Sequence, residues 1–237
     1  MPELSCILLA GPNGSGKSSA FAKLNLEGVW INADEIAKAM PATVDDGKST
    51  DIQAGRAALR YLDEMIETRQ SFVFETTLAS NQSIRLMREA KAAGFKVGLY
   101  YVALDSVERN IERVRQRVLK GGHDIPEDNI RRRHKGSFEN LTAALMVADE
   151  VVLIDNSGLE PHEAFVISSG EILSFDIDDS RELHALFSAK VCEAYGLVQY
   201  DSGFRKVQKL ATRRGDDVPS DASKPSPGHR PKPPGRK

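Results

Sequence analysis

Leu4-Ser5-Cys6-Ile7-Leu8-Leu9-Ala10-Gly11-Pro12-Asn13-Gly14-Ser15-Gly16-Lys17-Ser18-Ser19 decides how the rest of the chain is read. Leu4–Ala10 is an apolar run of strand length, and turn residues follow it at once. Gly11–Ser18 matches G-x-x-x-x-G-K-[ST] at every position, between that strand and a helix opening at Lys17. Glycines let the backbone turn its N–H groups toward phosphate oxygens, and the helix N-terminus adds its dipole. Gly11, Pro12, Asn13, Gly14, Ser15, Gly16, Lys17, Ser18 and Ser19 are therefore the expected nucleotide-binding set. Lys17 suits the β- and γ-phosphates, and Ser18 suits a Mg²⁺ that bridges them. The loop predicts nucleotide binding but leaves the fate of the γ-phosphate open.

Outward from the loop, strands and helices alternate. Gly28–Asn32, Ser71–Glu75, Lys96–Leu104 and Glu150–Ile154 read as strands. Between them lie helical stretches, among them Asp51–Arg69 with Ile52, Leu59, Leu62 and Ile66 on one face. Ala164–Ser168 and Glu171–Phe175 pair as a hairpin around Ser169-Gly170, and Arg181–Leu197 is a closing helix. Asp155-Asn156-Ser157-Gly158 reads as a turn after the last parallel strand, with passage near the nucleotide base as the alternative. The pattern predicts an α/β P-loop NTPase fold: a mainly parallel sheet sandwiched by helices, with a C-terminal hairpin and helix added.

Composition narrows the function. The chain has 237 residues, is 41% hydrophobic and carries a formal charge of −2, which fits one sizeable core and a neutral overall field. Only 6% is aromatic, too little for a stacking platform for single strands. Cys6 and Cys192 are far apart, which excludes a disulfide framework and fits a reducing compartment. No apolar run spans a membrane and no leader pattern opens the chain, so a cytoplasmic location is expected. From Arg205 to Lys237, ten Lys/Arg stand against three Asp/Glu, with few large apolar residues. Residues 1–200 are thus expected to be the catalytic domain. Residues 201–237 are expected to be a basic, Pro-rich disordered tail, either functionless or in weak electrostatic contact with nucleic acid.

A phosphotransferase needs a carboxylate to take the proton of its acceptor hydroxyl. In a parallel sheet such groups stand at the carboxyl ends of strands. Asp34, Glu75 and Asp105 all qualify by position, although Asp105-Ser106 also suits a helix cap. Charge developing on the γ-phosphate calls for guanidinium groups. The helix Ser106–Lys120 presents Arg109, Arg113, Arg117 and Lys120 as a stripe, and Arg131-Arg132-Arg133 lies in the next helix beyond Gly121-Gly122. Two basic helices around a Gly-rich turn, about 106–135, read as a mobile lid. Arg113 and Arg117, then Arg132, are the favoured members; a solvated face paired with Glu108, Glu112 and Glu127 is the simpler alternative.

Gly11–Ser18, Asn32-Ala33-Asp34-Glu35, Phe74-Glu75-Thr76-Thr77 and the arginine-rich Arg113–Arg133, in that order, resemble the zeta toxin family. The resemblance covers roughly residues 4–160. It implies an adenylate-kinase-like phosphotransferase using ATP and Mg²⁺, with toxin members acting on UDP-N-acetylglucosamine. Asp34 would then be the catalytic base, Glu75 and Thr77 would hold the acceptor, and an antitoxin protein is an implied partner. One position departs: the toxins read Glu-Gly-Thr-x-Arg, and Ala79 stands where the arginine would be. The expected activity is transfer of the γ-phosphate of ATP to a hydroxyl of a small molecule, such as a UDP-activated amino sugar. A P-loop ATPase or nucleotide switch, and a nucleic-acid end kinase, are the alternatives.

Overall fold

The computed structural model describes residues 3–24, 26–33, 35–36, 50–200 and 203–206. Seven strands form one sheet in the order β2-β3-β1-β4-β5-β6-β7. β1 (Ser5–Ala10), β2 (Val29–Asn32), β3 (Phe72–Thr76), β4 (Lys96–Ala103) and β5 (Glu150–Asp155) are mutually parallel. β6 (His162–Ser168) and β7 (Glu171–Phe175) extend one edge antiparallel. Ser169 and Gly170 join them at φ of 50° and 78°, the positive values that a tight hairpin connection requires.

The described helices are α1 (Lys17–Leu24), α2 (Thr50–Glu67), α3 (Asn81–Ala92), α4 (Val107–Leu119), α5 (Glu127–Val147) and α6 (Glu182–Tyr195). Alternation along β1 distributes its side chains to two cores. Cys6, Leu8 and Ala10 pack with Leu62 of α2, Met87 of α3, Leu141 of α5 and Phe187 of α6. Leu9 faces the other way, onto Ala20 of α1 and Val73, Val102 and Ile154 of the neighbouring strands. This period of two is what a strand buried on both faces imposes. Helices α4 and α5 add a small core of their own, built on Ile111, Val114, Ile125 and Ile130. The Ser106 hydroxyl caps α4 by accepting the Arg109 N–H at 3.4 Å, and Pro126 stands at the N-cap of α5.

From β1 the chain first runs to β2 and β3 on one side and returns to β4 on the other. Such a reversal opens a crevice at the carboxyl ends of the central strands, where α/β sheets bind ligands. The loop after β1 lies at that point.

The described strands continue past residue 200, into the stretch expected to be tail. β8 (Leu197–Tyr200) pairs antiparallel with β9 (Gly203–Lys206). The reason is Phe204, whose ring lies 5.5 Å from Phe165 and 5.2 Å from Phe175. Asp34 and the chain beyond Lys206 lie outside the described residues. Among the described residues, no helix is long and apolar enough to cross a membrane.

Candidate functional site

Gly14 and Gly16 hold φ of 75° and 94°, a region that L side chains rarely occupy. A Cβ at Gly14 would fall on the Asn110 carbonyl oxygen of α4, and one at Gly16 on the Asn156 side chain after β5. The loop is thus glycine-bearing where other backbone and side chains close on it. Gly14→Ala is expected to lower stability by about 2 kcal/mol through left-handed strain plus the clash with Asn110; denaturant unfolding measures it.

Lys17 is 6% exposed, and its Nζ donates to the Gly11 and Pro12 carbonyls at 2.8 and 3.0 Å. Glu75, the penultimate residue of β3, stands against it with Oε1 3.8 Å from Nζ. Parallel register sets Glu75 beside Leu9, next to the root of the loop. Glu75 Oε2 accepts both the Ser18 hydroxyl and the Asn32 amide at 2.9 Å. One carboxylate therefore joins the lysine and serine of the phosphate loop to the end of β2. Glu75 thus touches the phosphate loop and also borders the adjoining cavity.

Two further asparagines brace the loop. Asn110 of α4 donates to the Asn13 carbonyl at 2.7 Å, and Asn156 donates to the Ser15 carbonyl at 2.7 Å. Asn156 also receives Arg113: its backbone oxygen accepts from Nη2 at 2.8 Å. Arg113 lies close enough to the loop that a Cβ at Gly16 would come within 3.5 Å of its Nη1.

A cavity of about 580 Å³ opens beside Lys17 and Glu75. Thr77 and Arg132 border it, as does Arg133, which donates to the Asn13 side-chain oxygen at 3.4 Å. Small residues of α2, namely Ala54, Gly55 and Ala58, leave the room. His123, Asp124 and Pro126 approach from the α4–α5 connection.

The structure thus brings Lys17, Ser18, Glu75, Thr77, Arg113 and Arg132 to the loop or its cavity. It places Arg117 elsewhere: Nη2 donates to the His123 carbonyl at 2.7 Å, bracing the α4–α5 connection. Arg131 faces outward, paired with Glu108 and Glu127 at 3.0 and 2.7 Å. Both carboxyls lie below their ordinary range, chiefly through the Arg131 hydrogen bond. Asn110 carries no local signal, whereas Asn32 stands two residues before Asp34 at a strand end and Asn156 lies in the turn expected after the last parallel strand.

A parallel sheet carrying a Gly-x-x-x-x-Gly-Lys-Ser loop at its switch point defines the class, a P-loop α/β protein with a nucleotide kinase fold. The model of the Zeta toxin family matches residues 4–163, and the chain belongs to that family. Membership supports a nucleotide-dependent, kinase-like function. A Haemophilus influenzae protein described as uncharacterized is 38% identical over 128 residues, 54% of this chain and 91% of that one. A chain of the AvrRxo1-ORF1:AvrRxo1-ORF2 complex crystallised with sulphate ions shares the fold, with a TM-score of 0.55 at 17% identity over 80% of this chain and 64% of that chain. A chain of the AvrRxo1-ORF1:-ORF2 structure with ATP gives a TM-score of 0.52 at 16% identity, covering 80% and 63%. The present chain spans under two thirds of the length of those two chains.

Proposed function

We propose that this protein transfers the γ-phosphate of ATP to a hydroxyl of a small molecule held in the 580 Å³ cavity. A UDP-activated amino sugar is the first acceptor to test. One observation carries the reading: Glu75 links Lys17 and Ser18 of the phosphate loop, at 3.8 and 2.9 Å, on the wall of that cavity. Donor phosphates on the loop would therefore face an acceptor in the cavity.

In this reading Asp34 takes the acceptor's proton as its oxygen attacks the γ-phosphorus. The bond to the β-phosphate oxygen breaks, and ADP leaves. Lys17 gives up its loop carbonyls to neutralise charge on the transferred group. Arg113 approaches from the side of Asn156, and Arg132 from the cavity wall. The Ser18 hydroxyl and Glu75 carboxylate form a hard-oxygen pair that fits Mg²⁺, which keeps several waters and binds through few protein groups. Held by these two groups, Mg²⁺ would neutralise phosphate charge. Thr77 contributes to the acceptor wall, and α4 with α5 forms the lid over it. The Zeta toxin family makes an antitoxin protein the natural partner to seek, and a reducing, cytoplasmic setting fits the free cysteines.

Arg131 and Arg132 are adjacent but point apart. Arg131→Ala is expected to leave turnover within about twofold, since exposed ion pairs contribute little. Arg132→Ala should lower it at least tenfold, the scale of one charged transition-state contact. Steady-state rates of the two variants check this, and equal losses would remove Arg132 from the site. The reading as a whole is tested by ADP release with and without candidate acceptors: a kinase requires the acceptor, while a nucleotide switch or ATPase does not.

A further inference from the structure

Phosphate transfer as derived above leaves one buried charged cluster unused. Asp155 closes β5 and is 1% exposed. Its Oδ2 meets Nε2 of His184 at 3.1 Å and Nη2 of Arg181 at 2.5 Å, both from the start of α6. His184 is itself buried, and its ring stacks on that of His162 at 5.4 Å. His184 Nδ1 accepts the Asp178 N–H at 2.8 Å, which places the ring proton on Nε2, aimed at Asp155. The second oxygen of Asp155 accepts the Ser157 N–H at 2.8 Å. Burial works to raise this carboxyl, but the Ser157 hydrogen bonds and the neighbouring Arg181 guanidinium outweigh it and hold it below the ordinary range. A carboxylate this deep is costly unless it is paired and hydrogen-bonded, and every one of these groups serves that pairing.

The next two residues reach the nucleotide side. Asn156 Nδ2 holds the Ser15 carbonyl of the phosphate loop at 2.7 Å, and the Asn156 carbonyl receives Arg113 at 2.8 Å. The Ser157 carbonyl receives Arg109 at 2.6 Å, and the Ser157 hydroxyl accepts the Asp105 N–H at the end of β4. A single turn, Asp155–Ser157, therefore joins the phosphate loop, α4, β4 and α6. Closing a sheet edge by packing alone needs apolar side chains, not a histidine and an arginine aimed at one buried oxygen.

We propose that Asp155, clamped by His184 and Arg181, is a positioning residue for the nucleotide site: it fixes the turn from which Asn156 braces the phosphate loop and receives Arg113. This rests on the nucleotide-binding reading above. Arg181 and His184 lie beyond residues 4–163 of the family match, so the C-terminal helix supplies part of the nucleotide site's support as well as covering the sheet.

The test uses the full chain with Arg181→Met, His184→Ala and His184→Gln. MgATP affinity is measured by calorimetry, and amide hydrogen exchange is followed over residues 11–18, with melting temperature alongside. Arg181→Met and His184→Ala are expected to weaken MgATP binding about tenfold, the scale on which coupling residues act, and to speed exchange in the loop. His184→Gln, whose amide can donate from near the Nε2 position, is expected to recover most of both. Unchanged affinity and exchange in Arg181→Met and His184→Ala would overturn the proposal, as would a His184→Gln variant no better than His184→Ala. Should His184→Ala not fold, Arg181→Met carries the test, because Arg181 is 35% exposed. A wild-type chain that binds no MgATP overturns the nucleotide reading together with this one. Tight wild-type binding retained by the variants overturns this one alone.

Discussion

Lys17→Ala is expected to abolish detectable phosphoryl transfer. The lysine is the first residue of α1, and its stem is buried so that the ammonium stands over the loop rather than in solvent. A charge held in so dry a site acts at low effective dielectric, where it is worth far more than in water. Losing it costs about 3–4 kcal/mol of transition-state stabilisation, a factor of several hundred in rate. The substitution also leaves the Gly11 and Pro12 carbonyls without the donor seen here, so a modest fall in melting temperature accompanies it. Turnover and a circular-dichroism melt on the same preparation separate the two effects. Near-normal turnover in the folded variant would remove the loop from the chemistry.

Asp34→Asn is expected to lower turnover roughly 10²–10⁴-fold, the range for loss of a general base, while ATP affinity changes little. The substitution keeps shape and most hydrogen bonding but removes the basic oxygen. Asn32, two residues before Asp34 in the sequence, is tied to Glu75 at 2.9 Å. A water-mediated contact to Mg²⁺ is the competing role, and it predicts another pattern: weakened MgATP binding, partly restored by excess Mg²⁺. Titrating Mg²⁺ against both turnover and ATP binding distinguishes them. Unchanged turnover at every Mg²⁺ level would exclude both and move the base to Glu75.

Local sequence carried the features that depend on local chemistry. The apolar run of β1, its glycine loop and the Ser169-Gly170 turn are legible because period, turn residues and φ requirements act within a few positions. The helix cap at Ser106 and the start of α5 at Pro126 are equally local. Contacts that assemble the site are not. Asn156 meets Ser15 across 141 positions, and Asn110 meets Asn13 across 97, so no pattern in either segment announces the other. The arginine triplet shows the same limit in miniature. Successive helical residues point about 100° apart, and the burial of Ile130 and Phe138 sets the phase that turns Arg132 and Arg133 to the cavity and Arg131 away. Phe204 was hidden for a different reason: it is one aromatic residue in a basic, polar stretch, and only its packing on Phe165 and Phe175 gives it a fold to belong to.

A small molecule, and not water, is proposed to receive the γ-phosphate. Purified protein incubated with γ-labelled ATP, Mg²⁺ and a metabolite extract that includes UDP-sugars puts this to the most direct measurement, with the labelled product identified by mass. One phosphorylated small molecule is expected, whose formation depends on the extract, accompanies ADP release one for one and disappears in Lys17→Ala. ADP released at the same rate with and without the extract, with all label in inorganic phosphate, would contradict it.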